Sequence, residues 1–339
     1  MHGRAIGRLV TAVLAAALLA GCAAPARAPG PTSPTAGPTS PTAGPTRPAA
    51  TDAYAHLAEL QRITDAAGGT RSTPSPGYDA AVDHVAGVLR AAGWDVDTPT
   101  YRVAGRTGSG YRNVVAQTRT GDPEHVVMAG AHLDSVPEGP GINDNGSGVA
   151  SLLQIAEQIG GSPGFPSTVR LAFWGSEEDG LNGSAAYVDG LDRPGRSAIA
   201  LYVNLDMVAS PNAGYFVQGG TGRPKKAGPP GSATVAQVLV DELARVGAVA
   251  DRTGFDSESD YDAFVTAGIP TGGVLAGDEY DKTTAQAKTW GGRAGKEFDP
   301  CYHAACDRLD NVNRTALGRF TAAVDATLRH FAAATTPLL

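Results

Sequence analysis

Clustered positive charge is scarce in this sequence. The 339 residues carry 27 Lys and Arg against 34 Asp and Glu, and the longest basic run is the pair Lys225–Lys226. Nucleic acids and anionic membrane surfaces are bound by concentrated Lys and Arg. The composition therefore argues against both as partners.

A long apolar segment is also missing. Leu9 to Ala20 is an apolar run of twelve residues, whereas a helix needs about 20 to cross a bilayer. The sequence therefore predicts no transmembrane helix. Because Arg4 and Arg8 precede the run, it has the form of an export signal.

The export signal ends in Leu19-Ala20-Gly21-Cys22, which resembles the lipobox of bacterial lipoproteins. The resemblance implies that residues 1–21 are a signal peptide and that lipid is attached to the sulfur of Cys22. The exported protein would then be anchored in the cell membrane with its folded part outside. An ordinary secretory signal with a chance cysteine is the alternative.

Residues 22–51 are predicted to be a tether between the lipid and the folded part. Pro and Thr dominate this stretch, and Pro31–Gly37 is repeated as Pro38–Gly44. Such a composition buries too little apolar surface to fold and forms a semi-extended spacer. A single folded domain is expected over residues 52–339.

Cysteine is scarce as well, with three positions in the chain. If Cys22 carries lipid, Cys301 and Cys306 remain, and an exported protein meets an oxidising compartment. Such a compartment favours a disulfide over a thiolate metal site. We therefore predict a local disulfide between these two residues.

Helical and strand patterns alternate along the folded part, and 42% of all residues are hydrophobic. Strands separated by helices predict an α/β fold, with a mainly parallel twisted sheet between two layers of helices. Periodicity predicts helices over 78–92, 145–159, 232–246, 260–267 and 313–333, and strands over 111–117, 125–131, 168–174, 198–205 and 269–275.

Acidic residues and a histidine follow these predicted strands. His132 and Asp134 come after one strand, Glu177 and Glu178 after another, and Asp206 directly after a third. Each has an ordinary explanation by itself, as a surface, turn or helix-capping residue. In open α/β sheets, however, ligands bind outside the carboxyl ends of the strands. Together the residues predict a functional site at that edge.

Two further candidates lie in short loops. Asp144 is in the glycine-rich stretch Gly139–Gly148. It could cap the following helix, but the glycines indicate a close backbone approach that suits a carboxylate turned inward. His303 stands between Cys301 and Cys306, and a disulfide there would fix the loop that presents it.

Two imidazoles and three of these carboxylates make up the expected ligand set. Mixed ligands of this kind suit zinc better than calcium or magnesium, and the lack of thiolates argues against a purely structural zinc. The set exceeds what one catalytic zinc needs. With one carboxylate as a bridge, it predicts two zinc ions ~3.5–4 Å apart.

Four motifs carry a resemblance to a known family: Ala131–Gly148, Phe173–Glu178, Asn204–Met207 and Pro300–His303. Over about residues 53–335 the chain resembles the M28 zinc aminopeptidases, in particular the secreted Streptomyces type. The resemblance implies a hydrolase that removes the first residue of peptides and prefers hydrophobic first residues. We expect a monomer.

The resemblance also implies a zinc-binding role for each candidate ligand. His132 and Asp206 would bind one ion, Glu178 and His303 would bind the other, and Asp144 would bridge both.

Further roles follow from the same resemblance. Glu177 would be the general base, Asp134 would orient His132, and Tyr302 would hydrogen-bond the oxyanion. The family also often has a cis peptide bond after the bridging aspartate, here Asp144–Asn145.

Two positions depart from the family pattern. Glu258 stands where close relatives have a basic residue, and Leu275 stands where they have an aromatic one in the side-chain pocket. Two alternatives remain. A single-zinc transferase of the glutaminyl cyclase type would have Trp at Tyr302, and a non-catalytic peptide-binding lipoprotein would have lost a ligand or the base.

Overall fold

The computed structural model describes residues 50–106, 111–219 and 226–335. The predicted signal peptide, Cys22 and the tether up to residue 49 lie outside these ranges. Within the described ranges, no helix has the length and apolar character needed to cross a membrane.

The described residues form alternating helices and strands. The helices are α1 (Ala53–Ala66), α2 (Pro76–Ala91), α3 (Gly146–Ile159), α4 (Asn182–Gly190), α5 (Arg193–Ala198), α6 (Ser232–Arg245), α7 (Tyr261–Thr266), α8 (Thr284–Trp290) and α9 (Arg314–Ala333). The strands are β1 (Asp95–Asp97), β2 (Val114–Gln117), β3 (Asp122–His132), β4 (Ser167–Trp174), β5 (Ile199–Asp206), β6 (Phe216–Gln218), β7 (Asp251–Thr253) and β8 (Thr271–Leu275).

All strands belong to one 8-stranded sheet in the order β1-β2-β4-β3-β5-β8-β6-β7. The four central strands β4, β3, β5 and β8 are parallel to one another. Antiparallel pairings join β1 to β2, β2 to β4 and β6 to β8. The predicted α/β fold with a mainly parallel sheet is confirmed.

Helices cover the sheet on both faces. Successive residues of β3 alternate between two apolar clusters, with Val127 and Ala129 in one and Val126 and Met128 in the other. Because side chains along a strand point to opposite faces, the two clusters lie on the two faces of one sheet. The first is built with α1, α2, α3, α6 and α9, and the second with residues from α4 and α7.

Helix α2 shows how the local sequence produces its element. The Ser75 hydroxyl caps the first turn by accepting a hydrogen bond from the Tyr78 amide, and a proline occupies the first turn. The apolar side chains of Val82, Val85 and Leu89 are fully buried on one face. Burial of each contributes about 1.5–3 kcal/mol, so packing rather than propensity holds the helix.

Candidate active site

The parallel strands carry the candidate residues to one edge of the sheet. His132 is the last residue of β3, and Asp206 is the last residue of β5. Glu177 and Glu178 follow β4 after a short turn, and Asp144 lies just before α3. Because the carboxyl ends of parallel strands share an edge, residues far apart in sequence meet there.

The carboxylate of Asp144 lies between two imidazoles. Its Oδ1 atom is 3.2 Å from Nε2 of His132, and its Oδ2 atom is 3.2 Å from Nε2 of His303. The side chain of Asp144 is 6% exposed. A buried carboxylate with one oxygen toward each imidazole can serve two neighbouring sites.

Each imidazole also approaches a second carboxylate. His132 Nε2 lies 3.4 Å from Asp206 Oδ1, and His303 Nε2 lies 3.0 Å from Glu178 Oε2. In the described part of the chain, these side chains form two groups. Within each group, the candidate ligand atoms all lie within 4.8 Å of one another. We call them the His132 group (His132, Asp144, Asp206) and the His303 group (Asp144, Glu178, His303).

Asp134 links the end of β3 to the segment after β4. Its two carboxylate oxygens accept hydrogen bonds from the backbone amides of Glu177 (3.2 Å) and Glu178 (3.4 Å). The Nδ1 atom of His132 lies 3.2 Å from the Asp134 carbonyl oxygen. Because Nδ1 faces Asp134, Nε2 is left to face the carboxylates of the His132 group.

Asp307 holds the backbone at Asp144. Its carboxylate accepts hydrogen bonds from the amides of Asn143 (2.7 Å) and Asp144 (2.9 Å). Burial raises the pKa of Asp307 to about 7, although these two amides lower it. The following peptide bond, Asp144–Asn145, is cis, as the family resemblance implied.

A chain of hydrogen bonds runs from the core to Asp206. Trp174 Nε1 donates to the Tyr202 hydroxyl (2.9 Å), which donates to Asn204 Oδ1 (2.9 Å). Asn204 Nδ2 donates to Ser259 Oγ (2.9 Å), which donates to Asp206 Oδ2 (2.6 Å). An indole nitrogen only donates, so the direction is fixed and Asp206 is the final acceptor.

Gly130, near the carboxyl end of β3, leaves room for this chain of hydrogen bonds. A Cβ atom at that position would lie 2.5 Å from the Tyr202 hydroxyl and 2.6 Å from Trp174 Nε1. Both distances are shorter than non-bonded contacts allow. The absence of a side chain at position 130 therefore permits the bond between Trp174 and Tyr202.

A short loop presents His303 at the rim. Cys301 and Cys306 flank it, and their sulfur atoms are bonded at 2.05 Å. The rings of Tyr302 and His303 stack with centroids 3.8 Å apart. The side chain of His303 is 40% exposed, against 2% for His132. The two imidazoles thus differ in their access to solvent.

Burial and neighbouring charges perturb the acid–base groups. Burial raises the pKa of Glu177 well above its usual value, with Asp260 and Asp206 acting in the same direction and His132 opposing them. Burial lowers the pKa of His132, but Glu177 and Asp206 raise it to well above its usual value. Burial and Asp144 raise the pKa of Glu178 to about 7. Such perturbation is typical of functional sites.

Both groups open onto a cavity of about 320 Å³, which Glu177, Tyr302 and Leu275 also line. A larger groove of about 580 Å³ lies beside β1 and β2 and includes no residue of either group. Size therefore does not locate the site. The convergence of imidazoles and carboxylates does.

The fold is shared with solved structures of aminopeptidases and of a glutaminyl cyclase. A zinc aminopeptidase from Bacillus subtilis matches with a TM-score of 0.67 and 17% identity, over 84% of this chain and 96% of that one. Glutaminyl cyclase from Porphyromonas gingivalis matches with a TM-score of 0.64 and 19% identity, over 82% and 97%. At such identities the likeness concerns the fold alone.

The sequence assigns the chain to one family within this fold. Residues 113–328 match peptidase family M28, and the chain belongs to it, as the motifs predicted. A probable lipoprotein aminopeptidase, LpqL, of Mycobacterium tuberculosis is 54% identical over 213 residues, which are 61% of this chain and 43% of LpqL. Leupeptin-inactivating enzyme 1 of Streptomyces exfoliatus is 42% identical over 272 residues, 80% and 59% of the two chains. The chain thus spans about half the length of these relatives.

Sequence reasoning missed several of the residues that hold the ligands. Asp307 and Ser259 contact Asp144 and Asp206, but neither lies in the motif that carries its partner. For Asp307, its position directly after Cys306 was a usable signal. For Ser259 the usable signal was its place directly after Glu258, in the part of the sequence compared with the family pattern.

Proposed function

We propose that the protein is an exported, lipid-anchored aminopeptidase that binds two zinc ions and removes the first residue of peptides. The observation that carries the proposal is the carboxylate of Asp144 between two imidazoles, each of which approaches a second carboxylate. This arrangement suits two metal ions that share one bridging ligand.

The residues fit such a pair of ions. Asp206 Oδ1 and Glu178 Oε1 are buried oxygen atoms without a hydrogen-bond partner. Because a buried polar atom usually has a partner, these two oxygens are suited to bind a cation. His132 and Asp206 would hold one ion, Glu178 and His303 the other, and Asp144 both. Bound zinc would supply Lewis acidity and lower the pKa of a bound water.

Glu177 is assigned the proton transfers. It lines the cavity beside both groups, and burial raises its pKa well above the usual value. A carboxylate with a raised pKa can accept a proton from the attacking water and return it to the leaving amine. The Asp134 carboxylate accepts a hydrogen bond from the Glu177 amide and so orients that residue.

Tyr302 is assigned to the oxyanion. Burial raises the pKa of its hydroxyl above the usual value, and the carboxylates of Asp144, Asp206 and Glu178 act in the same direction. The hydroxyl therefore stays protonated and can donate a hydrogen bond to the oxygen that becomes negative.

The cavity fits the first residue of a peptide. Its acidic side chains would bind the free ammonium group, which restricts cleavage to the amino end. Met207 and Leu275 line the cavity and support a hydrophobic first residue, with Glu258 at its exposed part. The name of LpqL, a probable lipoprotein aminopeptidase, supports both the activity and the anchor at Cys22. We expect the enzyme to act as a monomer.

A glutaminyl cyclase-like transferase is the second candidate, because the P. gingivalis cyclase has this fold. That alternative needs one zinc ion. The complete His132 group favours a second ion, and Tyr302 stands where a cyclase would have Trp. The complete set of ligands and the presence of Glu177 also argue against a non-catalytic peptide-binding lipoprotein.

Metal analysis with a substrate panel tests the proposal. Purified protein should hold two zinc ions per chain and release nitroaniline from aminoacyl-nitroanilides, with Leu and Phe derivatives ahead of Asp and Glu derivatives. Blocking the amino group should abolish release. One zinc ion per chain together with cyclisation of amino-terminal glutamine would favour the cyclase, and no turnover of either substrate would favour the binding protein.

A further inference from the structure

Arg71 is a buried cation next to the candidate site, and it has no role in the function proposed above. It lies in the loop between α1 and α2, and its side chain is 0% exposed. Arginine is almost never fully buried unless its donors are satisfied. The partners of Arg71 should therefore reveal what it does.

The guanidinium spans two separate segments of backbone. Nε donates to the carbonyl oxygen of Leu133 at 2.9 Å. Nη1 donates to the carbonyl oxygen of Pro140, and Nη2 donates to that of Gly141 at 2.8 Å. Leu133 lies between His132 and Asp134, whereas Pro140 and Gly141 belong to the loop that leads to Asp144. The fork of guanidinium nitrogens thus joins the backbone next to His132 to the loop that leads to Asp144.

Ser135 reinforces this connection. Its hydroxyl oxygen accepts a hydrogen bond from the Arg71 amide at 3.0 Å and lies 3.1 Å from the Gly139 carbonyl oxygen, to which it can donate. Thr70 donates to the carbonyl oxygen of Val136 at 2.8 Å. Backbone and side chain of the 70–71 loop therefore hold the same two segments.

The charge of Arg71 persists at neutral pH. Burial lowers its pKa to about 10, while the carboxylates of Asp307, Asp134, Asp144 and Glu178 raise it. The three bonds above nevertheless go to carbonyl oxygens rather than to these carboxylates. A planar fork that reaches several acceptors at once is a property of Arg that Lys lacks.

We propose that Arg71 is a positioning residue that fixes the spacing of His132 from Asp144 and so preassembles the His132 group for zinc. The inference rests on the proposed two-zinc function. Asp144 is shared by both groups, and Asp307 also holds its backbone. The guanidinium additionally binds the carbonyl next to His132, whereas Glu178 and His303 lie in segments that it does not contact, and the Cys301–Cys306 loop holds His303. Loss of the fork therefore acts unequally on the two groups.

Zinc titration of the metal-free full-length protein tests this asymmetry. Arg71→Lys keeps the charge and loses the fork, so one of the two zinc equivalents should bind about 10–100-fold more weakly, and the other should change far less. Excess zinc should restore most of kcat. Arg71→Met should weaken the same equivalent at least as much, because geometry rather than charge is decisive.

Leu89→Ala is the matched control for a loss of stability. Leu89 is fully buried in α2 and lies outside the site, so its truncation should lower Tm without changing either zinc affinity. Ser135→Ala provides a second test if Arg71 variants do not fold, because it removes a lesser part of the same connection. It should weaken the same equivalent by a smaller factor.

Two results would overturn the inference. One is wild-type affinity for both zinc ions in Arg71→Lys, or in Ser135→Ala where only that variant folds. The other is an equal loss of both ions that tracks the fall in Tm seen with Leu89→Ala. Failure of the proposed function looks different, because wild-type protein would then bind fewer than two zinc ions or would not release the first residue of any peptide.

Discussion

The Oε2 atom of Glu178 lies 3.0 Å from Nε2 of His303. The adjacent residue Glu177 lines the same cavity but belongs to neither ligand group. Two glutamates that are neighbours in the chain thus stand in different environments. Their proposed roles differ accordingly, as zinc ligand and as proton carrier, and substitution can separate them.

Replacement of Glu177 should impair chemistry without loss of metal. Glu177→Gln keeps size and polarity but cannot carry a proton, so kcat should fall by about 10²–10⁴. Both zinc ions should remain bound and KM should change little. Steady-state kinetics with metal analysis of the same sample gives both quantities.

Glu178→Gln is the counterpart, because it removes an anionic ligand from the His303 group. It should lower zinc occupancy as well as kcat, and excess zinc should rescue it in part. The assignment of the two residues is wrong if Glu177→Gln loses one zinc equivalent or keeps kcat within a few-fold of wild type.

Zinc affinity should depend on pH with a predictable sign. Hydrogen bonds with Asp144 and Glu178 raise the pKa of His303 to about 10, and burial raises the pKa of Glu178 to about 7. Raised pKa values mean that protons stay on these ligands up to higher pH, and zinc must displace them. Affinity should therefore fall about tenfold or more per unit as pH drops from 7 to 6.

Calorimetric titration in two buffers of different protonation enthalpy measures the protons released. Glu178→Gln removes one titrating ligand. At pH 6, where a carboxyl with a pKa of about 7 is mostly protonated, the number of protons released should therefore fall by about one at the affected site. Zinc affinity that is constant between pH 6 and 7 would contradict the role of these groups as ligands.

Removal of the disulfide should affect the His303 group more than the fold. The bond closes a loop between residues 301 and 306, and loop-closure entropy for so short a loop contributes about 2 kcal/mol. The double change Cys301→Ser and Cys306→Ser should therefore lower Tm by a few degrees. It should weaken one zinc equivalent by about tenfold, because His303 loses its fixed loop. Equal weakening of both equivalents would argue against a local effect.

The proposed anchor makes a prediction outside the described residues. Labelled fatty acid should enter the full-length protein in a bacterial host, because Cys22 follows a lipobox-like sequence. Cys22→Ser should abolish the label and release the enzyme from the membrane fraction. Label that persists in Cys22→Ser would contradict the proposed lipid anchor. As a control, wild type and Cys22→Ser should bind zinc equally.

Long periodic segments made much of the fold predictable. The predicted helix over 145–159 is α3, Gly146–Ile159, and the predicted strand over 168–174 is β4, Ser167–Trp174. Strands β1, β6 and β7 were missed because each has 3 residues, too few for an alternating pattern to show. Helix α5 has 6 residues and no buried face, so it too lacked a periodic signal.

The candidate site was predictable only in part, for a physical reason. Its proposed ligands fall at strand ends and in short motifs, where residue type and position are visible together. Asp134 also lies in such a motif, but Arg71 and Asp307 do not. Arg71 contacts carbonyl groups 62 to 70 residues away, and Asp307 contacts the amide of Asn143 across 164 residues. Pairings over such distances depend on tertiary packing, which one sequence does not encode in any local pattern.

The space above Gly130 ties sequence variation in the core to the site. A side chain at position 130 would break the hydrogen bond between Trp174 and Tyr202. The Asn204 amide would then no longer be held in the orientation in which its Nδ2 donates to Ser259. Divergence at these positions must therefore be correlated. Homologues that gain a larger residue at position 130 should show compensating changes at positions 174 and 202 together. Evolution of these three strand positions is thus coupled to the active site, although none of them is a proposed ligand.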